Sequence, residues 1–450
     1  MAAASDKARF YLEHTVPDLQ DLARKEIFSP AEITAITAKR SDFEHTLNAR
    51  GSKPSDYARY ATYEQNLDNL RKKRCRRLGV KGTNYTGQRA VFFILERGTK
   101  KFPGDLGLWM QYIDFCKSQK AAKKLAQVFT SVLRLKPRVW GLWVVAAKHY
   151  AEGNGDMATA RSYLQRGLRF CRDETKLYLE YARLEMVYLA KLAARRKILG
   201  LDEAREEKGA EDNEGDDMIA LPSVTAEDID PEAGKGVEEV NAAALKRLES
   251  APAFTGAIPM AIFDAAMKQF NGSAAVAEDF FDLFATFDTV PSARNILQHV
   301  LDTMRTAAPS SAETTICEAK SALFVIPPAS ADFPEALSQA LKRIKQGNKP
   351  LQPKEQTRLA EKAVLLLLSY ITHPEAGTEL DPDVQQVLEL VLKKNVDMLA
   401  KAPALSNGIA LSTQKALPAL VERLAKVGRD KDVEIIQDVQ GGKGVALVPG

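Results

Sequence analysis

The chain has 450 residues, of which 45% are hydrophobic and 27% are charged, so it is long enough to bury a sizeable core. The first residues, Met1–Phe10, contain no apolar signal region, and the longest apolar run, Ala363–Leu368, is too short to span a bilayer. The four cysteines form no Cys-x-x-Cys pair, so neither a zinc site nor a disulfide framework is expected. These features predict a soluble protein of a reducing intracellular compartment.

The net charge of +4 hides an uneven distribution of charge along the chain. Residues 1–201 contain 38 Lys and Arg against 20 Asp and Glu, a net charge of +18, which leaves −14 for residues 202–450. A strongly basic half indicates an anionic partner, and nucleic acid is the leading candidate.

The N-terminal residues 1–55 are predicted to form a helical cap. Within them, Ser29-Pro30-Ala31-Glu32 has the form of a capping box with proline at the first helical position, which predicts that a helix begins there.

A pattern of aromatic residues predicts that residues 56–200 form an array of helical hairpins. Trp109 and Trp143 are 34 residues apart, and Tyr178 follows Trp143 by 35, a period typical of helical solenoids. Within one repeat the aromatic residue, a tyrosine three residues later and a glutamate seven residues later lie on one helix face. The predicted stripe residues are Tyr57, Tyr60, Glu64, Trp109, Tyr112, Trp143, Tyr178, Tyr181 and Glu185.

These rings have two interpretations. A hairpin of this kind buries its apolar face only against neighbouring hairpins, so the rings are most simply wedges between repeats. Base stacking on RNA is the alternative, but it would require exposed rings. We therefore interpret them as structural, and we expect two repeats to lack a polar tie because Cys116 and Tyr150 stand where glutamate is expected.

The stripe, followed by a second helix with Ala-Arg and a closing proline, resembles the half-a-tetratricopeptide repeat of RNA-processing complexes. Further segments are similar to the family of the U-three small nucleolar RNA-associated protein six: Arg9-Phe10-Tyr11-Leu12-Glu13, Lys39-Arg40-Ser41-Asp42-Phe43-Glu44-His45 and Ala261-Ile262-Phe263-Asp264. The similarity is close from Arg9 through Arg196 and weaker beyond. It implies an all-α fold, a right-handed αα-solenoid.

The same resemblance implies a function. Members of this family are subunits of the small-subunit processome, in the B subcomplex with β-propeller proteins, around the U-three small nucleolar RNA and the 5′ external spacer of pre-ribosomal RNA. The resemblance therefore implies a scaffold for processing pre-18S ribosomal RNA in the nucleus and nucleolus. A scaffold of messenger-RNA splicing or 3′-end processing is the alternative within the repeat class, and a module that grips RNA phosphates directly is an alternative of another class.

Two basic clusters are candidate contacts for RNA or another polyanion. The first is Arg71, Lys72, Lys73, Arg74, Arg76 and Arg77, and the second is Arg195, Arg196 and Lys197. Cations also counter the negative end of a helix, so a solvated helix end is an equally weighted interpretation of the first cluster, with RNA contact or nuclear import as the other. No ring pattern beside them suggests that bases are read, so only non-specific contact with the RNA backbone is expected.

The composition changes at residue 202. Residues 202–239 contain fifteen acidic and three basic residues, which predicts that residues 201–252 form a flexible acidic linker. The alternative is an acidic strand that shields a basic surface until RNA or a partner displaces it. Residues 253–427 are predicted to be a second helical region of degenerate repeats, with long helices at Leu359–Ile371 and Val384–Leu399. Residues 428–450 are expected to form a flexible tail.

The search for catalytic motifs is negative. The sequence has no phosphate-binding Gly-x4-Gly-Lys-Ser/Thr loop, no His-Glu-x-x-His and no Gly-x-Ser-x-Gly, and its five histidines are scattered. We therefore expect no enzyme, no catalytic residue, no cofactor, no bound metal, and neither a membrane nor a small molecule as a partner.

Overall fold

The computed structural model describes residues 2–80, 87–198, 256–328, 330–372, 382–406 and 409–441. The predicted acidic linker, residues 201–252, lies outside these ranges. The chain divides into two compact units, residues 1–149 and residues 150–450. The boundary between the units falls inside the predicted repeat region 56–200, and the extent of that region stays a prediction.

The first unit consists of helices joined by short connections. The basis for one of them is clear from the sequence, because Ser29 and Glu32 form the predicted capping box and Pro30 begins the helix. The helices of this unit are α1 (Ala2–Glu13), α2 (Val16–Arg24), α3 (Pro30–Asn48), α4 (Pro54–Leu78), α5 (Gly87–Lys101), α6 (Leu106–Ser118), α7 (Ala122–Leu135) and α8 (Trp140–Lys148).

Helices α4 and α5 are antiparallel and packed closely through glycines of α5. A Cβ atom at Gly87 would lie 2.5 Å from the side chain of Asp68, and one at Gly98 would lie 3.0 Å from the ring of Tyr57. The same Cβ at Gly98 would also lie 2.8 Å from Leu108 of α6. Three helices therefore meet at Gly98, where no other side chain fits without movement of its neighbours.

The second unit is also mainly helical in its described parts. A π-helical turn, His149–Gly153, follows α8, and the predicted long helices are present with slightly wider bounds. The helices are α9 (Met157–Phe170), α10 (Thr175–Ile198), α11 (Ala257–Gln269), α12 (Ala274–Ala285), α13 (Ala293–Ala307), α14 (Ala312–Leu323), α15 (Phe333–Asn348), α16 (Pro353–Thr372), α17 (Pro382–Lys401), α18 (Ala416–Val427) and α19 (Asp430–Gln440).

The prediction of an all-α solenoid fold is confirmed for the described residues, with one local departure. Strands β1 (Pro403–Ser406) and β2 (Ile409–Lys415) form an antiparallel pair between α17 and α18, in which Ser406 is opposite Ile409. The sequence between these strands is Asn407-Gly408, a strong signal for a two-residue hairpin. A search for helical periodicity does not detect this signal.

The prediction of a flexible tail over residues 428–450 is wrong at its start, where α19 forms. Asp432, Ile436 and Val439 of this helix are buried, and they follow the i, i+4, i+7 spacing of one helix face. Ile436 and Val439 belong to the apolar core that α14 to α19 share. The glycine-rich segment from Gly442 onward lies outside the described residues.

Candidate nucleic-acid and protein interface

The aromatic stripe residues are buried between helices. Tyr57, Trp109, Trp143 and Tyr178 are each at most 6% exposed, and Tyr60, Tyr112 and Tyr181 are buried as well. A buried ring cannot stack on an RNA base, so these positions fit the structural interpretation of the stripe.

The two tryptophans share one further contact, which links each repeat to the connection before it. The indole N–H of Trp109 donates to the carbonyl oxygen of Pro103 at 3.1 Å, and that of Trp143 donates to Pro137 at 2.9 Å. In both cases the proline precedes the tryptophan by six residues. The closing proline and the aromatic residue of the next repeat therefore form one structural unit.

The two stripe glutamates are held by arginines from the preceding helix. Glu64 accepts two hydrogen bonds from Arg40, at 2.7 and 2.8 Å, and Glu185 accepts two from Arg161 at the same distances. Each arginine precedes its glutamate by 24 residues. Sequence analysis missed both arginines, although the shared spacing of 24 residues was a readable signal.

The repeats that lack the glutamate also lack the arginine. Counting 24 residues back from Cys116 and Tyr150 leads to Phe92 and Ala126. Phe92 instead packs edge-on against Phe115, with ring centroids 4.8 Å apart. Cys116 is fully buried, and this burial raises the pKa of its thiol to about 11, so it stays neutral. Apolar packing replaces the ion pair at that position.

A cavity of about 510 Å³ lies between the first five helices, α1 to α5. Its walls include Tyr11, Glu44, Tyr60 and Phe93. Arg97 forms an ion pair with Glu44 at 2.9 Å and lies 3.9 Å from the centre of the Tyr11 ring. This contact ties α1 to the repeats and neutralises the carboxylate beside the cavity.

The rim of this cavity carries two exposed aromatic rings. Phe10 is 56% exposed and Phe93 is 48% exposed, and both line the cavity. Exposed rings beside a cavity of this size suit an apolar side chain from a partner protein.

Half of the first basic cluster is paired within the protein. Arg71 and Lys72 both bind the carboxylate of Asp68, at 2.8 and 2.7 Å. Arg74 makes two hydrogen bonds to Glu32, at 2.6 and 2.7 Å, and also lies over the ring of Phe28. Arg74 therefore joins α4 to α3, whereas Arg71 and Lys72 pair with Asp68 within α4.

The pairing of Arg74 strongly affects the carboxyl group of Glu32. The hydrogen bond from Arg74, with those from Ser29, lowers the pKa of Glu32 from 4.5 to about 2. Arg74 thus has a structural partner that sequence spacing did not reveal.

The remaining cations of the first cluster are available for an external anion. Lys73, Arg76 and Arg77 are exposed on the last turns of α4. Among the described residues no carboxylate lies within ion-pair distance of these three side chains. The candidate polyanion contact is therefore Lys73, Arg76 and Arg77.

The second basic cluster lies in the last turn of α10. Arg195 and Lys197 are exposed there, and Arg196 is half-buried. All three cations stand near the negative end of the helix dipole, where they also stabilise the helix.

Two other kinds of site, a metal centre and a membrane span, find no support in the described residues. They contain no group of three or more His, Cys, Asp and Glu side chains that could hold a metal ion. Among them no helix is both long and apolar enough to cross a bilayer.

Comparison with known proteins gives matches that agree with one another in the name of the relative. Residues 12–94 match the family model described as U3 small nucleolar RNA-associated protein 6. The protein of that name from Schizosaccharomyces pombe is 36% identical over 237 residues, which cover 50% of this chain and 49% of the relative.

More distant relatives give shorter matches. The human homolog is 33% identical over 185 residues, 40% of this chain and 31% of the relative. The Dictyostelium discoideum homolog is 27% identical over 209 residues, 46% of this chain and 34% of the relative. The matched part thus spans about half the length of the fission-yeast relative and about a third of the others. The family resemblance inferred from the sequence is confirmed.

Proposed function

From the similarity of its N-terminal part to U3 small nucleolar RNA-associated protein 6, we propose that this chain is a non-enzymatic scaffold subunit of the small-subunit processome. In this proposal it acts in the nucleolus, in the assembly around the U3 small nucleolar RNA and the 5′ external spacer that produces 18S ribosomal RNA. The helical repeats bind partner subunits, including β-propeller proteins of the B subcomplex. Exposed cations add a contact with the RNA backbone.

The observation that carries the proposal is the coincidence of the family match with the cavity of the first unit. Matched residues 12–94 supply Glu44, Tyr60 and Phe93 of its walls, and the exposed rings of Phe10 and Phe93 stand at its rim. A partner peptide that inserts an apolar side chain would cover both rings. Such grooves are the usual binding surfaces of helical repeat proteins.

The RNA contact in this proposal rests on the exposed cations of α4. Because Arg71, Lys72 and Arg74 are occupied by Asp68 and Glu32, the contact is assigned to Lys73, Arg76 and Arg77. Three cations at a helix end bind phosphates through charge, without base readout, so the contact is weak and sensitive to salt.

The test is affinity purification of the tagged full chain from cells, followed by identification of bound proteins and crosslinked RNAs. Processome subunits with U3 and pre-ribosomal RNA are expected for the wild type. Recovery of splicing or 3′-end processing factors with messenger RNA would contradict the proposal and would support a scaffold of messenger-RNA processing instead. Recovery of RNA without any partner protein would support a module that binds RNA directly instead.

A double variant at the cavity rim tests the protein contact separately from the RNA contact. Phe10→Ala with Phe93→Ala should reduce capture of partner subunits and leave RNA crosslinking per captured complex unchanged. The exposed ring of Phe170, in the second unit, provides the control Phe170→Ala. Equal partner loss in both variants would contradict a role for this cavity.

A further inference from the structure

One stretch of the first unit is basic without any acidic residue. Residues 115–149 contain eight Lys or Arg residues and no Asp or Glu. Lys124, one of the eight, forms an ion pair with Glu96 at 2.9 Å. None of the carboxylates in the described part of the chain forms an ion pair with Lys117, Lys120 or Lys123.

These three lysines stand at a single turn. Helix α6 ends at Ser118 and α7 begins at Ala122, so Lys117, Lys120 and Lys123 lie just before, within and just after the connection. Lys120 and Lys123 are exposed, and Lys117 is half-buried. Three positive charges are therefore held within one turn by backbone that two packed helices fix in place.

The directions of the helices place this turn at the same end of the unit as the last turns of α4. Gln111 of α6 donates to the carbonyl oxygen of Ala58 in α4 at 3.2 Å, and the two helices run in the same direction. Helix α5 runs opposite to both. A hydrogen bond from Gln88 to Gln119 ties the start of α5 to the turn after α6.

That end of the unit therefore combines cations from three consecutive elements. They are Lys73, Arg76 and Arg77 from α4, Arg89 from the first turn of α5, and Lys117, Lys120 and Lys123 from the turn between α6 and α7. Arg89 also lines the cavity of the first unit. Neighbouring packed helices are about 8–10 Å apart. The last turns of α4 also continue past Asp68, which lies against Gly87 at the start of α5, so the cations form an extended edge rather than a point.

We propose that these seven cations form one phosphate-binding edge that holds the backbone of a single-stranded RNA segment. The inference rests on the proposed function, because it extends the RNA contact there assigned to α4 alone. An RNA strand carries a phosphate at every nucleotide and can follow a line of cations without any pocket. A protein partner would instead use a groove or a sheet edge, and helix ends and turns offer neither.

The test measures binding of the full chain to fluorescein-labelled oligouridylate by anisotropy over a series of salt concentrations. An oligomer of about 20 nucleotides exceeds a single-strand site of about 4–16 nucleotides. The variant replaces Lys117, Lys120 and Lys123 with Gln. The matched control replaces Arg134, Lys136 and Arg138 with Gln, which removes the same charge around the turn at the opposite end of α7. Far-UV circular dichroism and thermal melting verify that both variants are folded.

The expected result is a change in salt dependence for one variant only. Each phosphate contact of a single strand contributes about 0.7 to the slope of log K against log salt, so losing three contacts should lower the slope by about 2. The control should keep the wild-type slope. Equal slopes for the two variants would overturn the proposal. If both slopes are lowered, only the total charge matters, and if both are unchanged, neither turn contacts the RNA.

A third variant distinguishes failure of this inference from failure of the proposed function. It replaces Lys73, Arg76 and Arg77 with Gln. If it flattens the slope while the Lys117, Lys120 and Lys123 variant does not, the extended edge is wrong and the RNA contact of α4 stands. If the wild type binds polyglutamate but not oligouridylate, the edge takes an acidic protein and both RNA assignments fail.

Discussion

At the scale of single residues, the two arginine–glutamate pairs occupy the same place in their repeats but differ in solvent exposure. The side chain of Arg40 is 2% exposed and that of Arg161 is 27% exposed, whereas both glutamates are buried. A charge left alone in the interior destabilises a protein far more than an intact pair stabilises it. Removal of the glutamate should therefore destabilise the protein more at Glu64 than at Glu185.

We expect Glu64→Ala to lower the free energy of unfolding by about 3–5 kcal/mol, because it leaves the Arg40 guanidinium buried without its carboxylate. Glu185→Ala should cost less, since water reaches Arg161. Urea denaturation of the two variants measures both values. The double variant Arg40→Met with Glu64→Met should recover much of the loss, and a double variant as unstable as Glu64→Ala would contradict this account.

The ion pair of Glu32 with Arg74 should make stability depend on pH in the acid range. The pKa of Glu32 is lowered in the folded state from 4.5 to about 2, chiefly by the hydrogen bond from Arg74. A carboxyl group whose pKa is lower in the folded state than in the unfolded state stabilises the fold at pH values above the unfolded pKa. This contribution is lost as the pH falls from 4.5 to about 2. The stability difference between the wild type and Glu32→Gln should therefore be present at pH 7 and shrink across that window. A difference that does not change with pH would exclude the ion pair as its cause.

At the scale of helices, the packing of α4, α5 and α6 depends on the absence of a side chain at Gly98. A Cβ atom at this position would lie 2.8 Å from Leu108 and 3.0 Å from Tyr57, both shorter than van der Waals contact. The same hairpin contains Tyr57, the first residue of the aromatic stripe. Close approach of the helices at this glycine therefore brings the ring of Tyr57 against α5.

We expect Gly98→Ala to destabilise the protein although alanine favours helices. Overpacking costs about 1–3 kcal/mol, and the gain in helix propensity of about 1 kcal/mol offsets only part of it. Gly141, in α8, is the matched control, because no atom lies within 4 Å of its Cβ position. Gly141→Ala should stabilise by about 0.5–1 kcal/mol. Thermal melting of the two variants should give shifts of opposite sign, and shifts of the same sign would contradict the packing argument.

At the scale of the whole molecule, the last described helix closes the apolar core of the C-terminal region. Ile436 of α19 is fully buried, in the core that also contains Leu388 of α17 and Leu420 of α18. Helix α19 packs on α17 and α18 and so covers apolar side chains of both helices that would otherwise face water.

We expect Ile436→Ala to lower the free energy of unfolding by about 2–5 kcal/mol, as for other large buried aliphatic side chains. Val427, at the end of α18, is 76% exposed and provides the control. Val427→Ala should change stability by no more than about 0.5 kcal/mol. Chemical denaturation followed by circular dichroism measures both, and a small loss for Ile436→Ala would return this segment to the flexible tail expected from the sequence.

The sequence by itself determined the helical class, the repeat period and the family resemblance. These follow from local spacing: Trp109 and Trp143 mark the period, and Ser29 with Glu32 marks a helix start. Local spacing also links Arg71 and Lys72 to Asp68, because residues three and four apart are neighbours on a helix.

Only the tertiary structure decided which cations are available to a partner and which charges are buried. Glu32 is 42 residues from Arg74 in sequence, and Arg97 is 53 residues from Glu44. Likewise, Arg89 and Lys120 come to one end of the unit only because α4, α5 and α6 alternate in direction. Ion pairing and surface charge depend on distances of a few ångströms between helices, and helical periodicity carries no information about contacts between residues so far apart in the chain.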